Sequence, residues 1–280
     1  MTNPRLALRT RQAARGRTEM LIGKTIVVTG ISSGIGSRVG ELAVALGADV
    51  IGVDVNSPAR PLDAFVKADI GSPQGVAEIA DSLPRRFDAL CNVAGVSGVM
   101  GAARTLAINF YGLRALSEAV APRLREGGAV VNVASIAGYG WRANLERAKA
   151  LVAAEGFPDI GPLLKAHGVH DKEAYPLSKE LLLMWTMRAA HQPLFKDRGL
   201  RVNAVSPGPV TTPILKEFRQ IFGDPRVDDD IARVGRAGTA PDVAPAVLFL
   251  CSDGARWING ANLPVDGGLE ASIHASVLGF

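Results

Sequence analysis

Thr25-Ile26-Val27-Val28-Thr29-Gly30-Ile31-Ser32-Ser33-Gly34-Ile35-Gly36 passes from an apolar, largely β-branched run straight into a turn holding three glycines. The run reads as a buried strand over 25–28, and the apolar spacing after it predicts a helix through residue 48. Strand, glycine turn and helix form the unit from which parallel sheets covered on both faces are built. Three glycines let the backbone approach a pyrophosphate, and the N-terminus of the following helix favours the anion. Gly30, Ser32, Ser33, Gly34, Ile35 and Gly36 are the candidate cradle. Their spacing is Gly-x-x-x-Gly-x-Gly, not the commoner Gly-x-Gly-x-x-Gly.

The alternation continues along the chain. A second strand over 49–54 ends in Asp54, at the distance where an acid accepts hydrogen bonds from an adenosine ribose and repels a 2′-phosphate. No Lys or Arg stands in the glycine turn before Arg38 or directly after Asp54, so the pattern favours NAD over NADP. A strand over 65–68 leads to Asp69 and Ile70, candidates for the adenine edge. The run 88–95 stops at Asn92, Val93, Ala94 and Gly95, whose small side chains let a ligand lie against the strand end. Strands over 128–133, 200–205 and 257–265 follow, the middle one running into Pro207-Gly208-Pro209-Val210-Thr211-Thr212-Pro213. No repeat or linker divides the sequence. The expected architecture is one α/β domain over 23–280: a Rossmann-type, doubly wound, seven-stranded parallel sheet.

Composition narrows the function classes. The chain has 280 residues, 48% apolar, and no apolar run of membrane-spanning length. Its net charge of +4 sits in the first twenty residues, where five arginines face one acid, Glu19. The remainder is neutral, which argues against a nucleic-acid-binding face. Residues 1–22 lack the apolar core of a secretory signal and read as a disordered basic extension, with Met20 an alternative start. Two cysteines, Cys91 and Cys251, in apolar settings give no disulfide framework and point to a reducing, cytoplasmic location.

The candidate chemistry lies at Tyr175-Pro176-Leu177-Ser178-Lys179, where a phenol and an ammonium four residues apart share one helix face. A phenol ionises near pH ~10, and an adjacent ammonium favours the phenolate, so together the pair can move a proton.

These motifs, in this order, resemble the short-chain dehydrogenase/reductase family from residue 24 to 268. Thr29 to Gly36 is similar to its cofactor turn, and Asn92 to Gly95 to its Asn-Asn-Ala-Gly segment, with Cys91 and Val93 departing from it. Asn109, Ser135, Tyr175 and Lys179 fall on its catalytic tetrad, and Asn203 with Pro207-Gly208 on its sixth-strand signature. The resemblance implies that Tyr175 transfers the proton and that Lys179 lowers its pKa and holds the nicotinamide ribose. Ser135 would orient the reacting oxygen, and Asn109 would kink its helix and position a relay water. Val210 and Thr211 would hold the carboxamide and phosphates, and hydride would pass between substrate carbon and nicotinamide. Ser97, Ala137, Trp141 and Pro209 are the candidate substrate contacts.

Ser135 and Tyr175 are 40 residues apart, where the family usually needs about a dozen. The surplus, an insertion over about 140–172, carries helical apolar spacing and a second short helical piece at 161–167. It is expected beside the substrate pocket, as a lid, a specificity wall or an oligomer contact. The insertion and the run 256–269 resemble coniferyl-alcohol dehydrogenases, and the insertion also bacterial 3α-hydroxysteroid dehydrogenases. That resemblance implies an alcohol dehydrogenase or carbonyl reductase for a bulky aromatic alcohol, with a hydroxysteroid as the alternative. It also implies a homo-oligomer, dimer or tetramer. An NAD(H)-binding sensor or scaffold is the alternative of another class, though it would have no need of the tetrad. His167 and His170, three apart, lack a third ligand and are not read as a metal site. The tail 269–280 either frays or covers a pocket.

Overall fold

Strands without a polar face have to be covered on both sides, and β1 (Thr25–Thr29) is buried at all five positions. The computed structural model describes residues 20–280, so most of the expected basic extension lies outside the described residues. Leu21 is fully buried, which starts the packed chain two residues ahead of the expected boundary at 23. After β1 come α1 (Gly34–Ala45), β2 (Asp49–Asp54), β3 (Ala64–Lys67), α2 (Pro73–Ser82) and β4 (Phe87–Asn92). A long helix begins as α3 (Ala102–Leu106), widens into a π-helical turn over Ala107–Gly112 and continues as α4 (Leu113–Val120) towards β5 (Leu124–Val133). Next are α5 (Leu145–Ala153), α6 (Ile160–Ala166), α7 (Ala174–Ala189), α8 (Pro193–Lys196) and β6 (Arg201–Pro207). The chain closes with β7 (Val210–Thr211), α9 (Leu215–Phe222), α10 (Asp224–Val234), β8 (Gly238–Thr239), α11 (Ala240–Cys251), β9 (Asn262–Val265) and α12 (Leu269–Leu278).

Seven strands form one sheet in the order β3-β2-β1-β4-β5-β6-β9, every pair parallel. This is the doubly wound sheet that the sequence predicts. Its order reverses between β1 and β4, and the turns at the carboxyl ends there open the crevice in which such sheets bind ligands. One face carries the larger core, with Phe110, Tyr111, Leu181 and Trp185 buried in it. The other buries Ile26, Val28, Val39, Val247 and Leu248 under α1 and α11.

Two expectations need correction. The seventh strand forms only over Asn262–Val265, not from 257, and Trp257 is 97% exposed. Ahead of β9 the chain docks on β6 through side-chain and loop contacts: Val202 N donates to Asn259 Oδ1 (2.9 Å) and Gly260 N to Val202 O (2.9 Å). The fifth strand starts four residues before the expected 128, across a register shift opposite Phe87 and Ala89. Cys91 and Cys251 meet as buried free thiols, with Sγ atoms 3.4 Å apart, and join β4 to α11.

The insertion does form helices, α5 and α6, but it lies against the outer face of α3, α4 and α7. Tyr111 donates its hydroxyl to Leu151 O (3.1 Å), and Arg114 donates to Val152 O (3.1 Å) and to Gly156 O. Arg147 grips Glu173 through two hydrogen bonds of 3.0 and 2.8 Å. Asn144 donates to the Glu180 carboxylate at 3.1 and 3.0 Å. Each bond ties the insertion back to the framework.

The glycine turn is packed without slack. A Cβ at Gly36 would stand 2.0 Å from Gly30 O, a separation that only backbone movement can relieve. Gly36→Ala is expected to cost about 1–3 kcal/mol of stability, read as a lower urea midpoint with unchanged slope.

Candidate active site

Thr29 ends β1, and its hydroxyl accepts from Val93 N (3.0 Å) and Ala94 N (3.1 Å), fastening the β1 and β4 turns together. Gly30 follows at φ +71°, where a Cβ would lie 2.8 Å from Ala94 Cα. Ser33 precedes α1 without a side-chain cap, so the first amides of that helix face the cleft with no side chain of the turn answering them. The cleft above these turns has a volume of about 480 Å³. Gly30, Ser33, Gly34, Ile35, Gly36, Asp54, Asp69, Ile70, Ala94 and Gly95 line it, as do Ser135, Tyr175, Lys179, Pro207, Gly208 and Val210.

Asp54 is fixed at the β2 end by accepting from Ser32 N (3.0 Å) and Asn56 N (2.9 Å). Arg38, the first base after the glycine turn, pairs with Glu41 at 3.3 Å and does not line the cleft. Asp69 accepts from Gly71 N (2.9 Å) and from Arg104 (2.7 Å); Arg104, which the motifs did not flag, lines the cleft beside it. A cradle that a Cβ at Gly30 or Gly36 would fill, open helix amides and the Asp54 carboxylate, with no cation paired to it among the described residues, fit a dinucleotide. A nicotinamide dinucleotide would be held by the turn, Asp54 and the β4 end.

The structure puts four expected contacts elsewhere. Ser32 lies outside the lining and donates its hydroxyl to Asn56 O. Asn92 is fully buried beneath the cleft, donating to Ser117 Oγ and Asn132 Oδ1, both at 2.8 Å. Thr211 points out of β7, while the next residue, Thr212, lines the cleft. Asn109 sits in the π-helical turn, in keeping with the expected kink. Its carboxamide accepts from Val96 N (2.8 Å) and donates to Val96 O (2.9 Å) and Ser178 Oγ (3.1 Å), leaving the side chain no donor for a relay water.

Ser135, at the end of β5, and Tyr175 and Lys179, on α7, are all buried and converge on the cleft. Lys179 donates to Val133 O (2.9 Å), and its Nζ stands 5.7 Å from the Tyr175 ring centroid. Burial pushes the ammonium down to about 8. Burial also pushes the Tyr175 phenol up, to about 12, with the Ser135 hydroxyl pulling the other way. In the protein alone, desolvation therefore outweighs the expected lowering of the tyrosine by Lys179.

A second pocket of about 410 Å³ meets the cleft at Ser135, Tyr175 and Gly208. Ala137 and Pro209 line it as expected. Trp141 does not: it packs at the edge of the core with the Arg142 guanidinium 4.3 Å over its ring. Ser97 is fully buried and donates to the Glu217 carboxylate. No residue of the insertion beyond Gly140 lines either pocket. The walls come from α9, α10 and α12, which supply Leu215, Phe218, Phe222, Val227, Glu270 and Ile273. Phe218 and Phe222 stack around Tyr175 with ring centroids 4.6 and 6.2 Å away. Their i, i+4 spacing is visible in the sequence, but it reads as an ordinary helix face until the fold turns that face onto Tyr175. The tail 269–280 is α12 and one pocket wall.

Among the described residues no cluster of three or more metal-ligating side chains forms, and no helix is long and apolar enough to cross a membrane.

Two family models match the chain: "short chain dehydrogenase" over residues 24–146 and "Enoyl-(Acyl carrier protein) reductase" over 163–270. The chain is 42% identical to coniferyl-alcohol dehydrogenase of a Pseudomonas species, covering 90% of this chain and 98% of that one. It is 29% identical to 3-alpha-hydroxysteroid dehydrogenase/carbonyl reductase of Comamonas testosteroni, covering 88% and 96%. Among solved structures, a Pseudomonas 3-alpha-hydroxysteroid dehydrogenase complexed with NADH superposes with a TM-score of 0.75 at 31% identity, covering 90% and 98%. A short chain dehydrogenase from Burkholderia cenocepacia in complex with NADP has a TM-score of 0.67 at 27% identity, covering 90% and 99%.

The buried ammonium makes a stability prediction. Lys179 holds its proton less tightly folded than unfolded, so its charge opposes folding below about 8, and stability rises with pH from there towards 10.5. Lys179→Met is expected to gain about 1–2 kcal/mol near neutral pH. The gain should shrink at alkaline pH, as measured by urea unfolding at both.

Proposed function

Because the chain belongs to the short-chain dehydrogenase/reductase family and is an oxidoreductase acting on alcohols, we propose that it is an NAD-dependent enzyme. It reversibly oxidises a bulky, aromatic alcohol of arylpropenyl, benzylic or aryl amino type. The observation that carries this reading is the meeting of the nucleotide cleft with the aromatic-walled pocket at the hydroxyls of Ser135 and Tyr175. A binding or scaffold protein would have no use for that junction. The similarity to coniferyl-alcohol dehydrogenase and the rings of Phe218 and Phe222 favour an aryl substrate. The hydroxysteroid alternative draws on the NADH-complexed relative.

In this reading Ser135 donates to the substrate oxygen, and Tyr175 takes the proton from an alcohol or returns it to a carbonyl. Lys179 keeps positive charge beside the phenol and so favours its ionised form. Gly95, where a Cβ would lie 3.6 Å from Lys179 Nζ, leaves the ammonium open to the cleft. A bound nicotinamide supplies the hydride acceptor. Asp54, with no cation paired to it among the described residues, favours ribose hydroxyls over a 2′-phosphate and so NAD over NADP. The free thiols of Cys91 and Cys251 fit a cytoplasmic setting. The exposed Trp257, Leu263 and Met187 fit assembly into a homo-oligomer.

Tyr175→Phe is expected to lower kcat by about 10²–10⁴-fold with NADH affinity nearly unchanged, measured by steady-state turnover and NADH fluorescence titration. Asp54→Ala is expected to reduce the NAD/NADP preference in kcat/KM by about tenfold; an unaltered ratio removes the ribose role.

A further inference from the structure

We propose that Glu270 recognises a second hydroxyl of the substrate, remote from the one that reacts, and so selects alcohols that carry a hydrogen-bond donor there. The inference rests on the reading of Ser135 and Tyr175 as the reacting end of the same pocket.

Glu270 lies in the first turn of α12 and lines the pocket without touching the tetrad. Its carboxylate is held by hydrogen bonds that begin in the sheet. Buried Ser206 Oγ donates to Asn262 Oδ1 (2.7 Å), Asn262 Nδ2 donates to the Tyr139 hydroxyl (3.2 Å), and Tyr139 donates to Glu270 Oε2. Burial and the nearby carboxylate push the Tyr139 phenol well up, so it keeps its proton and remains the donor. The Glu270 amide donates to Asp266 Oδ2 (2.8 Å), which fixes the residue from its backbone side.

Among the described residues one oxygen of the Glu270 carboxylate is satisfied, by Tyr139. Among the described residues no donor reaches Oε1. The charged pair of the wall, Arg226 and Asp230, pairs with itself at 3.3 Å, and among the described residues no cation pairs with Glu270. A carboxylate held in place with an unfilled acceptor asks for a donor from the ligand. It disfavours an acceptor-only or anionic group at that point. The His274 imidazole, one helical turn on from Glu270, also lines the pocket; the rest of the wall around the Arg226–Asp230 pair is largely apolar, with Leu215, Phe218, Phe222, Val227 and Ile273. Such a lining suits a ring skeleton bearing two hydroxyls, one for Tyr175 and one for Glu270.

The test compares kcat/KM within donor/acceptor pairs: 4-hydroxycinnamyl against 4-methoxycinnamyl alcohol, and a 3α-hydroxysteroid with a second hydroxyl on its far ring against the corresponding ketone. Because each value is a ratio within one enzyme preparation, partial misfolding of a variant cancels. Wild type is expected to prefer the donor by about tenfold or more, the scale of a charge-assisted hydrogen bond. In Glu270→Gln the ratio should fall to about 2, whereas Tyr139→Phe, which keeps the carboxylate, should retain most of it. A wild-type ratio near one, or a ratio unchanged by Glu270→Gln, overturns the proposal. If only the steroid pair turns over, the aryl substrate is wrong and Glu270 is still judged on that pair. If neither pair reacts, both readings fall.

Discussion

The structure depends on a line of buried amides that crosses the middle of the sheet. Asn92 on β4 and Asn132 on β5 stand opposite each other in register. Asn92 donates to Asn132 Oδ1 (2.8 Å) and to Ser117 Oγ on α4 (2.8 Å); Asn132 passes the bond to Thr186 on α7 (2.9 Å). Two strands and two helices are thereby locked at one level, just below the strand ends. Deleting any link would strand a buried polar group at about 1–3 kcal/mol. The level matters because the candidate site stands on it: the β4 turn pinned by Thr29, Ser135 at the end of β5, and the α7 face carrying Tyr175 and Lys179.

On that platform the protein tolerates an unfavourable electrostatic arrangement. Lys179 is buried with a single carbonyl partner, Val133 O, and Tyr175 is buried beside it. Burial disfavours charge on both groups, so the ammonium is weakened and the phenol strengthened against ionisation. Neither shift helps the fold. Both come from titratable groups placed in a dry site, where a change in local charge acts strongly on them.

The insertion divides structural from substrate duties. Chemistry at its borders binds it to the framework: Arg147 to Glu173, Asn144 to Glu180, Arg114 to the carbonyls that end α5. It braces the helices behind the tetrad. The walls of the second pocket are built instead largely by α9, α10 and α12, segments joined to the carboxyl ends of β6 and β9.

Much of this was legible in the sequence, for a physical reason. Strand positions follow from apolar runs, the glycine turn from residues that alone tolerate its close contacts, and the Tyr175/Lys179 pair from helical periodicity; each is a local property of the chain. The doubly wound sheet and the grouping of Ser135, Tyr175 and Lys179 follow from the motifs rather than from geometry, and the strand order only from the structure. What the sequence misplaced depended on long-range packing. Asn92 and Ser32 look like ligand contacts until their partners are known, Trp141 like a pocket residue, and 257–261 like a strand. Phe218 and Phe222 lie 43 and 47 residues beyond Tyr175, and only the folded chain brings them to its ring. Glu270 becomes a pocket carboxylate because Tyr139, 131 residues away, reaches it. Local pattern determined the elements and the reacting pair; tertiary packing alone decided which side chains are spent on the framework and which are left to face a substrate.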